Sequence, residues 1–386
     1  MKICAIICEY NPFHNGHEYL LKQAKELSGA DAILCIMSGN FVQRGEAAIL
    51  EKHERAALAV EFGADIVIEL PTVFATSTAE IFARGAISIL SKIPQVTHLC
   101  FGVEYGTAED YLKAATLLAN EPPEVSEAVK ALTGQGVSYA AALTQARQEL
   151  LQVKLLSSPN NILGLEYTKA IIASQSNIEI LPIARIGGQY HDEKLHGQFP
   201  SATAIRKAYA KKNLEDLREI LSKPLYSALK NANDINLSIA EKLAVLSTDS
   251  ATLATTLDCN EGLENAFKKA ARLPEALETT LTSARYTASR IRRIAIQNLL
   301  GIRKDLIFEC LSSPLYLRPL AYKAERTDLL STLSHSALPL LSCGKDKELL
   351  EGVAAACLSK DLFAEDLYAV LSQKPYPNKT IVKRTR

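Results

Sequence analysis

Short apolar runs without strict alternation constrain this chain more than any other feature. Residues 3–8, 32–37, 66–70, 97–101 and 178–184 are runs of this kind. A strand with one wet face alternates apolar and polar side chains, whereas a strand buried on both faces does not, as in a parallel sheet covered by helices. Most of these runs are separated by segments with helical periodicity at residues 51–62, 77–92, 108–119, 138–151 and 161–174. The alternation predicts an α/β fold built on a doubly wound, Rossmann-like parallel sheet. Ligands on such sheets lie beyond the carboxyl ends of the strands. The loops expected there are residues 14–17, 38–46, 102–104 and 185–188. Past about Lys211 the alternation fades, and residues 214–221, 239–246, 262–271 and 274–281 read mainly as helices. The expected division is an α/β domain over 1–210 followed by a mainly α-helical domain over 211–386.

The first of those loops carries chemistry. His14-Asn15-Gly16-His17-Glu18 follows the first strand, and Tyr19, Leu20, Leu21, Ala24 and Leu27 then mark an apolar helical stripe. Such a turn is a helix N-terminus, where free backbone amides and the macrodipole attract anions. Gly16 lets a phosphate approach the backbone, and His14 and His17 can both face it. The phosphate's charge favours their protonated forms, and two such donors would stabilise charge on phosphoryl oxygens and departing pyrophosphate. The plainer alternative is a capping or surface histidine. A zinc site is poorly supported, although Glu9 or Glu18 could add a ligand.

Other polar clusters are less specific by themselves. Ser201 or Thr203 is placed to cap a helix whose first turn carries Arg206, which suits phosphate binding or simple capping. Residues 38–46 concentrate Asn40, Gln43, Arg44 and Glu46 after a buried strand, the composition of an acyl-acceptor or carboxylate pocket; a surface pair of Arg44 with Glu46 explains it equally well. Arg285, Arg290, Arg292, Arg293, Arg303 and Lys304 occur with no acidic residue among them, opposite an apolar stripe of Ile291, Ile294, Ala295, Leu299 and Ile302. This is a basic helix face with Tyr286 as a stacking surface, or merely a solvated one. Lys379, Lys383, Arg384 and Arg386 make a basic tail.

Composition sets limits. Lys and Arg total 43 and Asp and Glu total 43, for zero formal charge, so any nucleic-acid site must come from local clustering. The 8 cysteines have no redox or zinc spacing and suit a reduced, cytoplasmic protein. Neither a signal peptide nor a membrane span is expected.

Four segments together resemble the bacterial tRNA(Met) cytidine acetate ligases, within the HIGH-motif nucleotidyltransferase superfamily: residues 9–17, residues 38–46, residues 158–164 and residues 201–206. The similarity runs from Met1 into the carboxyl-terminal half. It implies an enzyme that uses ATP to activate acetate as acetyl adenylate, then acetylates the exocyclic amine of the wobble cytidine of elongator tRNA(Met). The division at 210 would then separate an ATP and acetate activation domain from a tRNA-binding one. His14 and His17 would be catalytic. ATP would meet Ile7, Glu9, Asn11, Pro12, Phe13, His14, Asn15, Gly16, His17, Leu20, Gly102, Asn160, Asn161, Arg185, Ser201, Thr203 and Arg206, while Asn40, Gln43 and Arg44 would serve acetate. Arg285, Tyr286, Arg290, Arg292, Arg293 and Lys304 would contact tRNA. Mg²⁺ would accompany ATP, with no tightly bound protein metal. The Lys-rich KMSKS segment of some relatives is absent, which leaves the cation opposite the histidines unassigned. Two alternatives remain at this stage: a nucleotidyltransferase for a small metabolite phosphate, and a non-catalytic, nucleotide-responsive RNA-binding protein.

Overall fold

The computed structural model describes residues 1–185, 200–211, 213–232, 234–341, 345–374 and 380–383. Residues 186–188 of the loop after the fifth apolar run lie outside them, as do Lys379, Arg384 and Arg386 of the tail. In chain order the first part forms β1 (Ile3–Cys8), α1 (Asn15–Ser28), β2 (Ala32–Ser38), β3 (Phe41–Val42), β4 (Glu46–Ala47), α2 (Lys52–Glu61), β5 (Ile66–Leu70), α3 (Thr72–Ala75), α4 (Ala79–Leu90) and β6 (Val96–Val103). There follow α5 (Ala108–Ala119), α6 (Pro123–Gly134), α7 (Tyr139–Leu151), α8 (Pro159–Ala173), β7 (Glu179–Ala184) and α9 (Ala202–Ala210). The rest of the chain gives α10 (Lys223–Lys230), α11 (Ser238–Ser247), α12 (Ser250–Ala254), α13 (Leu263–Ala270), α14 (Leu277–Leu281), α15 (Ala288–Leu299) and α16 (Lys304–Ser312). It ends with β8 (Pro319–Lys323), α17 (Thr327–Ser334), α18 (Gly352–Ser372) and β9 (Ile381–Lys383).

The five expected strands are present and parallel, in the order β7-β6-β1-β2-β5. Their lack of alternation has the expected cause. Ile3, Ala5 and Ile7 of β1 pack into the core on one face of the sheet, and Cys4 and Ile6 into the core on the other. Strand β2 divides in the same way, with Leu34 and Ile36 opposite Ile33, Cys35 and Met37. The chain runs from β1 outward through β2 to β5, then returns to place β6 on the other side of β1. That reversal makes the carboxyl ends of β1 and β6 the switch point, where a crevice opens.

The second half departs from expectation in one respect. Strand β8 adds to the same sheet antiparallel to β5, pairing Ile66 with Tyr322 and Val67 with Ala321, and β9 adds outside β8. Helices α11 to α15 do have a small core of their own, centred on Val245, Leu253, Phe267, Leu277, Ile291 and Ile294. We therefore propose the 210/211 boundary as a change of chain character, with the last third of the sequence shared between a helical lobe and the sheet. Two helix expectations shrink: 214–221 contains only a 3-10 turn at Glu215–Leu217, and 274–281 only α14.

Candidate active site

The turn after β1 is built by packing as much as by hydrogen bonding. Tyr10 sits at φ 47, a left-handed conformation that a bulky side chain adopts only when its surroundings enforce it. Its ring is held edge-on to Phe13 at 5.0 Å and to His17 at 4.8 Å, and its hydroxyl meets the Cys35 sulfur at 3.4 Å. Phe13 stacks on Phe62 at 5.3 Å. This buried aromatic group fixes where the following helix begins.

His14 is the N-cap of α1. Its Nδ1 accepts a hydrogen bond from the Gly16 amide at 3.1 Å, so the ring's proton resides on Nε2. The His17 ring stacks on it at 3.7 Å, and the His17 Nδ1 is buried without a hydrogen-bond partner. Gly16 has a specific reason to be glycine: an added Cβ would lie 2.9 Å from His14 Cε1. A phosphate's charge would favour the protonated pair; the protein's own groups act in the opposite direction. Burial, then the charges of Arg185 and Arg206, push the His14 pKa down to about 3. Burial, then His14 and Arg185, push that of His17 well below its ordinary value. Burial and neighbouring positive charge thus both favour the neutral form of the stacked imidazoles.

These rings open onto a cavity of about 370 Å³ at the switch point. Of the residues expected at ATP, Ile7, Glu9, Asn11, His14, Gly16, His17, Leu20, Gly102, Asn160, Arg185, Ser201, Thr203 and Arg206 line it. Three helix N-termini converge there. His14 caps α1, Ser201 caps α9 by accepting from the Ala204 amide at 3.0 Å, and Pro159 and Asn160 begin α8. Arg206 donates to the Asn11 carbonyl at 2.8 Å and to the Thr203 hydroxyl at 3.3 Å, tying α9 to the His14 turn. Asn160 donates to Glu104 at 2.6 Å, and Ser158 donates to the same carboxylate at 2.7 Å.

Some expected residues stand behind the lining. Asn161 is fully buried, accepting from the Glu104 amide at 2.9 Å and donating to the Tyr105 carbonyl at 3.2 Å. Phe13 belongs to the aromatic support, Pro12 follows a cis peptide bond, and Asn15 donates to the Ile220 carbonyl at 3.1 Å. Asn40 is buried, its side-chain carbonyl accepts from the Lys52 amide at 2.8 Å, and it is not among the residues that line the cavity. Gln43 and Arg44 do line it, together with Glu46. An apolar wall of Val42, Ala79, Phe82, Phe101 and Tyr167 completes it. No motif announces these five, because apolar residues facing a cavity follow the same periodicity as apolar residues facing a core.

The basic row is not one helix face, since Arg290, Arg292 and Arg293 lie on α15, Arg285 and Tyr286 precede it, and Arg303 and Lys304 begin α16; most of it is also paired internally. Acidic partners absent from the local sequence arrive from elsewhere: Arg285 pairs with Glu261 at 2.7 Å, Arg292 with Glu278 at 2.5 Å and Glu46 at 3.1 Å, and Arg293 with Asp258 at 3.8 Å. Arg290 donates to the Asp258 carbonyl at 2.7 Å, and its guanidinium lies 5.0 Å from the Tyr286 ring centre. Arg285 and Lys304 are exposed, whereas Arg292 and Arg293 are partly buried. Arg292 and Arg293 are thus both engaged within the protein, Arg292 by Glu46 and Glu278 and Arg293 by Asp258.

Comparison with known proteins agrees with this geometry. The family model described as HIGH Nucleotidyl Transferase matches residues 1–382. A protein of Clostridium perfringens named tRNA(Met) cytidine acetate ligase is 35% identical over 394 residues, covering 96% of each chain. One of the same name from Thermoanaerobacter sp. (strain X514) is 38% identical over 385 residues, covering 96% of this chain and 95% of that one. The crystal structure of Thermotoga maritima TmcAL (apo, form I) superposes with a TM-score of 0.90 at 29% identity, and the form bound with alpha-thio ATP with 0.88 at 29%, each covering 100% of both chains. The chain belongs to the HIGH nucleotidyl transferase family, among the tRNA(Met) cytidine acetate ligases.

Proposed function

We propose that this protein activates acetate with ATP as acetyl adenylate and transfers the acetyl group to the exocyclic amine of the wobble cytidine of elongator tRNA(Met). The observation that carries the reading is the convergence of the stacked His14 and His17, three helix N-termini and the cations Arg185 and Arg206 on one cavity at the switch point. In the first step an acetate oxygen forms a bond to the α-phosphorus while the bond to pyrophosphate breaks. The neutral His14 donates through Nε2–H, and His17 through its own ring N–H, to phosphoryl oxygens whose charge grows. Arg206 and the α9 amides stand ready for the remaining phosphates. In the second step the cytidine amine attacks the acyl carbon, an amide bond forms, AMP leaves and the amine loses a proton.

Among the described residues no group of three or more His, Cys, Asp or Glu side chains is arranged to hold a metal ion. Magnesium, on this reading, is carried by the nucleotide's phosphates and supplies further charge neutralisation there. The cavity's carboxylates are Glu9 and Glu46, and Glu9 already accepts from the Gln43 amide at 2.7 Å. For tRNA, the exposed Arg285 and Lys304 with the Arg290–Tyr286 pair remain our proposed contacts, and a cytoplasmic location is the one the RNA substrate of this reaction supports. No described helix is long and apolar enough to cross a membrane.

The deciding experiment incubates the protein with labelled acetate, ATP and unmodified elongator tRNA(Met), digests the RNA and locates the label. Label in N4-acetylcytidine, dependent on ATP, is the expected result. Label in a soluble nucleotide conjugate would point to a metabolite nucleotidyltransferase, and tRNA binding without pyrophosphate release to a non-catalytic RNA-binding protein.

A further inference from the structure

Helix α15 belongs to two cores at once. Ile291, Ile294 and Ala295 pack in the helical lobe, whereas Ile296, with Leu300 just beyond the helix, packs in the core beneath the sheet. From this position it grips the β3–β4 hairpin. The Arg292 Nε donates to the Arg44 carbonyl at 3.0 Å, one terminal nitrogen meets Glu46 at 3.1 Å and the other meets Glu278 at 2.5 Å. Between Arg44 and Glu46, Gly45 has φ 74, and a Cβ there would lie 2.5 Å from the Arg292 carbonyl carbon and the Arg293 nitrogen. The hairpin therefore rests directly on the helix backbone.

A second hold lies one turn further along. Gln297 donates to the Thr76 carbonyl at 2.9 Å, and Gln43 donates to the Ser77 carbonyl at 3.2 Å. Gln43, Arg44 and Glu46 line the cavity, and Arg292 does not. We infer that Arg292 is a positioning residue for the carboxylic-acid side of the cavity: it neutralises Glu46 and holds the hairpin so that an anionic acid can enter beside Gln43 and Arg44. The inference rests on the reading of the cavity as an acid-activating site. Without Arg292, an uncompensated carboxylate faces the incoming acid, and like charges repel in a partly desolvated cleft. The His14 turn and α9, which face the nucleotide, make no contact with Arg292 among the described interactions.

The test measures acetate-dependent pyrophosphate release in the presence of tRNA. Arg292→Gln is expected to raise the KM for acetate about tenfold, the change that about 1.4 kcal/mol of lost binding produces, with the KM for ATP nearly constant. Arg292→Lys, which keeps the charge and loses the fork, is expected to fall between. Adding Glu46→Gln to Arg292→Gln should restore most of the acetate KM, a recovery that a purely structural role for Arg292 would not give. Equal changes in both KM values, or no recovery in the double variant, overturn the inference. Wild-type turnover with an unaltered Arg292→Gln overturns this inference alone, whereas a wild-type protein that releases no pyrophosphate with acetate overturns the functional reading with it.

Discussion

The fold favours the neutral forms of His14 and His17, and this preference follows from where the sequence puts them. A histidine whose folded pKa lies below its unfolded one binds fewer protons folded than unfolded, so its contribution to stability is complete above the unfolded value and is lost as pH falls below it. With His14 at about 3 against an ordinary 6.5, that loss runs from about pH 6.5 down towards 3, at no more than about 1.4 kcal/mol per pH unit per group. Asp361, raised to about 6 by burial and then by Glu69, and Glu241, raised to about 7 by burial and then by Glu278, titrate in the opposite sense. The informative quantity is therefore a difference. Between pH 7.5 and 5, the wild type should lose more unfolding free energy than His14→Gln, as measured by urea denaturation; equal losses would contradict the buried, neutral assignment. The two rings were legible in the sequence because they flank a strand-to-helix turn. Their protonation was not, because the burial that lowers both pKa values, and then the charge of Arg185, arise only through the fold.

At the scale of elements, the β3–β4 hairpin joins the two parts of the molecule. Its short strands pair Phe41 with Ala47 and Val42 with Glu46, and Gly45 takes the left-handed position in the turn. Gly45→Ala would impose both an unfavourable φ and a backbone overlap with α15. It is expected to cost about 2–4 kcal/mol in chemical denaturation, and to raise the KM for acetate in the folded fraction. A stability within about 0.5 kcal/mol of wild type would show that the hairpin does not bear on the helix. The five parallel strands were legible because a strand buried on both faces has an unmistakable composition. The hairpin was not, since two-residue strands carry no periodicity, and the acids that pair with Arg285, Arg292 and Arg293 come from residues 46, 258, 261 and 278. A local reading of Arg285 to Lys304 sees only the cations.

Across the whole molecule, α18, the last described helix, is tied to α2 and the central sheet by buried charge. Lys52, fully buried at the start of α2, meets Glu69 of β5 at 2.6 Å and also Glu365 of α18, while Arg318 pairs with Glu69 at 3.1 Å and Glu365 at 2.5 Å. Burial alone would raise the Glu365 pKa, but Lys52 and Arg318 hold it at about 2. Glu365→Ala leaves the buried Lys52 and the partly buried Arg318 sharing Glu69 and is expected to destabilise the protein by about 3–5 kcal/mol in urea denaturation; a loss below about 1 kcal/mol would show that α18 is held by apolar packing alone. No sequence signal pointed to this cluster, because its members are brought together only when β8 returns to the sheet. At the switch point, the proposed function requires that the stacked imidazoles stabilise displacement of pyrophosphate by an acid. Isotope exchange between pyrophosphate and ATP, with acetate and tRNA present, tests it most directly. Wild-type protein should catalyse exchange that requires acetate, and His17→Ala should slow it by about 10²–10³ while leaving tRNA affinity unchanged. Exchange at the wild-type rate in His17→Ala, or an equal loss of tRNA binding, would contradict it.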